Sequence, residues 1–479
     1  MNTNIYALTD SHQECRNLSQ VLSGIYNCEK NNEKPFIVLD AGDLFKGIYD
    51  KDLSVNAYIK LKQLIPNAQI FITLGNNDFG FKKEDFDYLK TTVKKFKANG
   101  ISILCANVID SKTGIQLDFI EPYKIIQINN QKILITGFCL NNSCAKKFGC
   151  ELICPEIAFK SLVNSVKEEY NKIIVLHHHW YPHSKKLSDF AQKIQKPIDL
   201  IIGGHEHSPI EPDYTNKIFY PLSFARTFYK MELGNNISNI EQIQTDKINF
   251  APEFEAPIIE YEQKTGLKTP IAKRVLDLTK RYSEPCPLGT FISDNMKKIG
   301  KTDIAFHSTG FTMYPLKLSD SPIITKYDFE KVICATTTLE VIQLNVEQLK
   351  QVFENATKLR PLRDRGNSQF LQCSQNITIT GKTLSDQTYQ IIQISINGEN
   401  LLDENNNPID KSRTYTCTID SYIGNGEQGF EVLKNIPKSV IYHNDSPIKI
   451  NELFYNAIID AEKNFDGNTS YPSFKLIDL

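Results

Sequence analysis

The sequence lacks any apolar run of about 18 residues, the length that a helix needs to cross a membrane. Residues 1–5 also lack the basic segment and the following apolar segment that are typical of a secretory signal. Both absences predict a cytoplasmic protein that has no membrane partner.

An excess of charge of either sign is missing as well, because 54 Lys and Arg residues oppose 56 Asp and Glu residues. A surface that binds polymeric nucleic acid normally shows a basic excess, so no such partner is expected. The eleven cysteines are odd in number and scattered, which favours reduced thiols over a disulfide framework. A hydrophobic content of 41% fits a globular chain with an ample core. The oligomeric state stays open.

The chain has 479 residues, which predicts two or three domains at roughly 150 residues each. In the first half, short apolar runs alternate with segments of helical pattern, as in strands that are covered by helices. The pattern changes near residue 250, where a proline-containing irregular stretch precedes a helical segment around 275–278. We therefore predict domains over 1–250 and 285–479, joined by a linker with a helix over 251–284.

Five polar clusters directly follow apolar runs in the first half. They are Asp10-Ser11-His12, Asp40-Ala41-Gly42-Asp43, Gly75-Asn76-Asn77-Asp78, His177-His178-His179 and Gly203-Gly204-His205-Glu206-His207. Carboxylates, amide oxygens and imidazoles are ligands that borderline divalent ions accept. Alternate residues of an extended segment point the same way, so Asp10 and His12, or His205 and His207, can bind one ion. Each cluster alone is weak evidence, but five at strand ends predict a metal site.

This series resembles the calcineurin-like metallophosphoesterases, whose pattern is D-x-H, G-D, G-N-H-D/E, H and G-H-x-H. The resemblance implies a four-layer α/β/β/α sandwich with two divalent ions, and hydrolysis by a metal-bridging hydroxide that attacks phosphorus. The implied ligands of the two ions, with Asp43 between them, are Asp10, His12 and His207 for one and Asn76, His178 and His205 for the other. Zn, Mn, Fe and Co all suit such ligands.

The second half resembles the C-terminal domain of the 5′-nucleotidase and UDP-sugar hydrolase family. The segments that carry the resemblance are Leu288–Asp294, Leu339–Ala356, Phe370–Gln372 and Tyr422–Phe430. The resemblance implies an α/β substrate-binding domain in which Phe370 and Tyr422 stack on a base. Such stacking contributes about 1–3 kcal/mol and tolerates different bases. It also implies a hinge movement about the linker that closes this domain over the metal site. That the two rings are core aromatics only is the alternative.

Four positions depart from the family pattern. Asn77 stands where the family has its catalytic histidine, and an amide cannot supply the positive charge of an imidazolium. Thr312 replaces an arginine that is expected to bind the substrate, and His307 is a candidate to replace that contact in part. Gln428 stands where the family usually has an aspartate. Gly80 occupies the place of the acid that orients the missing histidine.

The metal ligands are thus complete, whereas the residues for substrate specificity are altered. Our first hypothesis is a two-metal phosphoester hydrolase that acts on a nucleotide or a nucleotide-like ester, of the monoester, diester or UDP-sugar type. Without a histidine at residue 77, we expect esters with poor leaving groups to suffer most. The alternatives are a non-catalytic relative that binds metal and nucleotide as a sensor, and a purely structural or interaction protein.

Overall fold

The structure is a computed structural model that describes residues 2–141, 143–312, 314–333, 335–358, 369–386 and 388–479. The chain forms two compact units, Met1–Thr265 and Gly266–Leu479. No helix among the described residues combines the length and the apolar character that a membrane span requires. The bounds predicted for the domains and the linker stay a prediction.

The first unit alternates strands and helices. Its strands are β1 (Thr3–Leu8), β2 (Phe36–Asp40), β3 (Ala68–Thr73), β4 (Ile101–Leu104), β5 (Val108–Asp110), β6 (Tyr123–Ile128), β7 (Gln131–Cys139), β8 (Cys150–Leu152), β9 (Lys172–His178), β10 (Leu200–Gly204), β11 (Ile218–Phe219), β12 (Thr227–Leu233) and β13 (Ile237–Gln244). Its helices are α1 (Cys15–Glu29), α2 (Lys51–Leu64), α3 (Lys83–Ala98), α4 (Ser143–Lys147), α5 (Pro155–Ser165), α6 (Tyr181–Lys193) and α7 (Pro252–Thr265).

Two sheets of this unit pack face to face, in the orders β13-β12-β1-β2-β3-β4 and β11-β10-β9-β7-β6. Successive side chains of a strand point to opposite faces. In β1, Ile5 therefore contributes to the core between the sheets, whereas Tyr6 packs in the core beneath α1 to α3. In β9, Ile174 likewise joins the core between the sheets, and Val175 packs against α5 and α6. The apolar runs thus build an α/β/β/α sandwich.

The helix near residue 250 lies elsewhere than the sequence pattern indicates. The stretch expected to be irregular forms α7, and the segment around 275–278 is not helical but makes isolated bridges at Asp277 and Leu278. Proline is tolerated at the first helical position, but inside a helix it costs about 3 kcal/mol. Burial of Phe254 and Ile258, and the bidentate bonds of Glu262 with Arg16 on α1, offset the cost of the internal Pro257.

The second unit has its own strands and helices. Its strands are β14 (Pro270–Lys273), β15 (Ile304–Ser308), β16 (Ile323–Thr325), β17 (Leu339–Asn345), β18 (Leu371–Cys373), β19 (Ile377–Thr383), β20 (Tyr389–Ile396), β21 (Glu399–Asn400), β22 (Thr414–Asp420), β23 (Ser439–Val440), β24 (Tyr442–His443), β25 (Ser446–Pro447) and β26 (Lys475–Asp478). Its helices are α8 (Pro287–Gly300), α9 (Lys326–Val332), α10 (Val346–Thr357), α11 (Ser421–Gly424), α12 (Glu431–Lys434) and α13 (Ile450–Lys463). The larger sheets have the orders β18-β15-β22-β17-β23 and β21-β20-β19-β26.

Parallel pairing brings the polar clusters of the first unit to the same edges. β1, β2 and β3 run parallel, with Leu8 beside Asp40 and Asp40 beside Ile72. β9 and β10 are also parallel, and their last residues, His178 and Gly204, are partners. In such sheets, side chains beyond the carboxyl ends of the strands meet.

Candidate metal centre

Two groups of side chains, each with two buried members and one half-buried histidine, converge beyond the ends of β1, β2, β9 and β10. Asp10, His12 and His207 each offer one ligand atom, and these three atoms lie within 4.8 Å of one another. Asp43, His178 and His205 form a second group that meets the same distance limit. All six residues are among the seven metal ligands that the sequence analysis implies, and the seventh is Asn76.

In the first group Asp10 and His12 are buried, whereas the side chain of His207 is 36% exposed. The Nε2 atoms of His12 and His207 are 3.1 Å apart. Asp10 Oδ1 lies 3.3 Å from His207 Nε2 and 3.6 Å from His12 Nε2. The carboxylate of Asp10 is held in place because it accepts bonds from the Thr9 hydroxyl and from the backbone N–H of His205.

The second group contains an amide as well as imidazoles and a carboxylate. His178 Nε2 lies 3.3 Å from Asp43 Oδ2 and 3.2 Å from Asn76 Oδ1. The ring centroids of His178 and His205 are 5.3 Å apart. Asn76 therefore presents its oxygen, a good ligand atom for a divalent cation, to the same space as the imidazole.

Asp43 connects the two groups. Its Oδ2 atom lies 3.5 Å from His12 Nε2 in the first group and 3.3 Å from His178 Nε2 in the second. Asn77 donates to both carboxylate oxygens, from its backbone N–H at 2.7 Å and from its side-chain amide at 2.6 Å. Asn77 thus fixes the orientation of a carboxylate that lies near imidazoles of both groups.

Four of these residues have a backbone conformation that non-glycine residues rarely adopt. The φ angles are 47° for Asp10, 46° for His12, 57° for Asp43 and 73° for His205. Each such residue costs about 1–3 kcal/mol, and such residues cluster at functional sites. The loops are held together by bonds from Asp10 N to Gly42 O and from His12 N to Asp43 O. Gly75 is required because a Cβ atom there would collide with Asp43.

The hydrogen bonds of the histidines show that this site fits cations. His178 Nδ1 faces the Ala41 carbonyl at 2.8 Å, and His12 Nδ1 faces the Phe45 carbonyl at 3.3 Å. A carbonyl oxygen only accepts, so each Nδ1 carries the proton and each Nε2 lone pair points to neighbouring acceptors. Acceptors that face one another at these distances require positive charge between them. A divalent cation or an extra proton can supply that charge.

The pKa values reflect the same concentration of acceptors. Burial disfavours a charged imidazole, yet Asp43 and Asp10 raise the pKa of His178 to about 10. Burial disfavours the carboxylates too, but the charge of His178, together with the neighbouring histidines His12 and His207 at Asp10 and His12 at Asp43, holds the pKa values of both below the ordinary range. Burial and the charge of His178 lower the pKa of His205 to about 4. The carboxylates are therefore ionised and His205 is neutral at pH 7.

Asp78 supports the site, although the sequence analysis assigns it no role. Its buried carboxylate accepts bonds from the backbone N–H groups of Asp43, Phe45 and Gly75, at 2.8–3.0 Å. Asp78 thereby ties the loop after β2 to the loop after β3. The sequence feature that could have indicated this role is the position of Asp78 in the motif Gly75-Asn76-Asn77-Asp78.

The structure gives the predicted substrate residues of the second unit interior positions. Phe370 is 1% exposed and its ring stacks on Phe474, while Tyr422 is partly buried against Phe311. His307 is fully buried, and its ring nitrogens face the carbonyls of Ser308 and Gly289. Burial, opposed by these carbonyls, lowers the pKa of His307 to about 4. A substrate role for Phe370, Tyr422 and His307 stays a prediction, which the burial of Phe370 and His307 disfavours.

Thr312 and Gln428, which replace expected substrate contacts, bond within the unit. Thr312 is 1% exposed and its hydroxyl donates to the Thr309 carbonyl. Gln428 accepts from Ser308 at its side chain, and its backbone has a φ angle of 56°. Both side chains therefore contribute to the local structure of the second unit.

Two family models match the chain. The model described as calcineurin-like phosphoesterase matches residues 3–209, and the model of the 5′-nucleotidase C-terminal domain matches residues 263–435. A solved structure titled as a 5′-nucleotidase precursor from Thermus thermophilus has a TM-score of 0.73 with full coverage of both chains and 16% identity. The predicted two-domain α/β architecture is thereby confirmed.

Curated relatives are similar over part of their length. The trifunctional nucleotide phosphoesterase protein YfkN of Bacillus subtilis is 25% identical over 83% of this chain and 30% of its own length. The NAD 5′-nucleotidase of Haemophilus influenzae is 28% identical over 45% of this chain and 34% of its own length. The matched part of this chain thus spans about a third of each of these relatives.

Proposed function

Because the chain belongs to the calcineurin-like phosphoesterases that carry a 5′-nucleotidase C-terminal domain, we propose that it is a two-metal phosphoester hydrolase. Its proposed substrate is a nucleotide or a nucleotide-like ester. The observation that carries this proposal is the convergence of two groups of candidate ligands near the carboxylate of Asp43. The names of the curated relatives, a nucleotide phosphoesterase and an NAD 5′-nucleotidase, support the substrate class.

The ligands divide between two ions in this proposal. Asp10, His12 and His207 would hold one ion, Asn76, His178 and His205 would hold the other, and Asp43 would contact both. When bound, such ions supply a nucleophile at neutral pH and neutralise charge on the phosphoryl group. The proposed ions are Zn, Mn, Fe or Co, because all four accept these ligands.

The residues of the chain orient this centre. Ala41 and Phe45 fix the tautomers of His178 and His12 by accepting from Nδ1, which directs the Nε2 lone pairs inward. Asn77 holds Asp43 at two points. We propose that Asn77 acts by this positioning and not by proton transfer, because an amide does not titrate. Esters whose leaving group needs a proton should therefore be cleaved slowly.

A substrate panel tests this function. We expect the purified full chain with added Mn²⁺ to cleave bis(para-nitrophenyl) phosphate, whose leaving group is good, at least about tenfold faster than AMP. Excess chelator should abolish both reactions. A UDP-sugar and a dinucleotide complete the panel and identify the preferred ester. Cleavage that continues in chelator would contradict the proposal, and so would a metal-loaded protein that cleaves none of the panel.

A further inference from the structure

Trp180 lies beside the second ligand group and is exposed. It follows the ligand His178 by two residues, at the start of α6. Its ring centroid is 4.5 Å from that of His205, and the two rings are nearly perpendicular, at 82°. Even so, Trp180 is 44% exposed. A large aromatic surface is thus available directly next to a proposed metal ligand.

The hydrogen bonds that hold this segment do not involve the indole. The turn is held by bonds from His179 N to His177 O and from the Tyr220 hydroxyl to the His179 carbonyl. The side chain of Trp180 makes no capping bond at the start of α6. It also joins none of the hydrophobic core clusters of the described residues, whereas the neighbouring Tyr181 packs against one. The ring contacts of Trp180 in this segment are with His179 and His183, at centroid distances of 5.4 Å and 6.3 Å, and they leave 44% of the residue exposed.

The indole also carries a hydrogen-bond donor, the N–H group at Nε1. No residue in the described ranges accepts a hydrogen bond from its Nε1. An exposed aromatic face with an open donor suits the planar group of a substrate, because stacking on an aromatic side chain accepts any base. By contrast, Phe370 of the second unit is only 1% exposed and offers little such surface.

We propose that Trp180 is a specificity-determining residue, on which the base or aryl group of the substrate stacks while its phosphoryl group is held at the ligand cluster. This inference rests on the proposed function, since it needs a phosphoryl group at that cluster. It assigns the first unit a direct part in choosing aromatic esters over aliphatic ones.

Fluorescence tests the platform directly, because Trp180 is the single tryptophan of the sequence. The Zn²⁺-loaded full chain is titrated with AMP and, separately, with ribose 5-phosphate, which lacks the base. The indole is excited where adenine does not absorb. We expect saturable quenching by AMP and none by ribose 5-phosphate. Absence of quenching by AMP, or equal quenching by both compounds, would overturn the proposal.

Kinetics provide the second readout. For bis(para-nitrophenyl) phosphate, Trp180→Ala should raise KM about tenfold and change kcat less than about twofold, because stacking holds the substrate without taking part in the reaction. Trp180→Phe keeps an aromatic face and should stay close to the wild type. Tyr442→Ala removes an aromatic that is 61% exposed in the other unit and serves as the control. An unchanged KM in Trp180→Ala would contradict the platform.

These experiments distinguish a failure of the proposed hydrolase function from a failure of the proposed stacking at Trp180. Base-dependent quenching without cleavage of any ester would contradict the hydrolase and leave the binding of an aromatic group at Trp180 in place. Cleavage without base-dependent quenching would contradict the platform alone. Circular dichroism of each variant identifies any change of KM that results from misfolding.

Discussion

Replacing Asp43 by asparagine is expected to lower kcat/KM by about a hundredfold or more. The carboxylate of Asp43 lies within 3.5 Å of an imidazole nitrogen from each ligand group. Asparagine keeps the size of the side chain but removes the charge and turns one acceptor into a donor. Both proposed ions should therefore bind more weakly. The measurements are kcat/KM for bis(para-nitrophenyl) phosphate and the metal content of the purified variant.

A surface carboxylate provides the matched control for this variant. Asp118 belongs to the same unit and is exposed. Asp118→Asn makes the same chemical change away from the ligand groups, and should retain the activity and the metal content of the wild type. If Asp43→Asn kept activity within tenfold of the wild type, Asp43 would not be a shared ligand.

Replacing Asp78 by alanine is expected to lower the free energy of unfolding of the first unit by about 3–5 kcal/mol. Asp78 is 3% exposed, and its removal leaves the buried N–H groups of Asp43, Phe45 and Gly75 without their acceptor. Each buried donor without a partner costs about 1–3 kcal/mol. Denaturant unfolding followed by circular dichroism measures this loss.

Asp78→Asn keeps the volume of the side chain and removes part of its hydrogen bonding, so it separates the two contributions to stability. Asparagine still accepts through one oxygen, so it should lose about half as much stability as alanine does. Activity should fall in both variants, because the loop that carries Asp43 loses its support. A loss of less than about 1 kcal/mol in Asp78→Ala would show that water or other groups satisfy the three N–H groups.

The sequence pattern predicted the helix-covered strands and the polar clusters at their ends, whereas the four-layer sandwich was implied by the family resemblance. Apolar runs mark the buried strands, and parallel strands deliver the residues that follow them to one edge. Asp10, Asp43 and His178 all follow this rule. The role of Asp78 could not be predicted from the pattern. An aspartate can serve as a metal ligand or as an acceptor for backbone N–H groups, and the sequence does not distinguish the two roles.

Other features depended on tertiary contacts. Two prolines argued against the helix Pro252–Thr265, yet the bonds between Glu262 and Arg16, which are far apart in the sequence, help to hold it. The aromatic Phe370 matched a family motif, but a motif does not show whether a ring faces solvent or the core. The exposure of Trp180 could not be predicted from the sequence either, because it depends on which residues the fold places next to the ring.

The most direct test of the account is a titration of the metal-free full chain with Mn²⁺, while hydrolysis of bis(para-nitrophenyl) phosphate is followed. The two ligand groups predict that activity rises with added metal and becomes constant only when two ions are bound per chain. Full activity before any metal is added, or a plateau at one ion, would contradict a shared two-metal centre at Asp43.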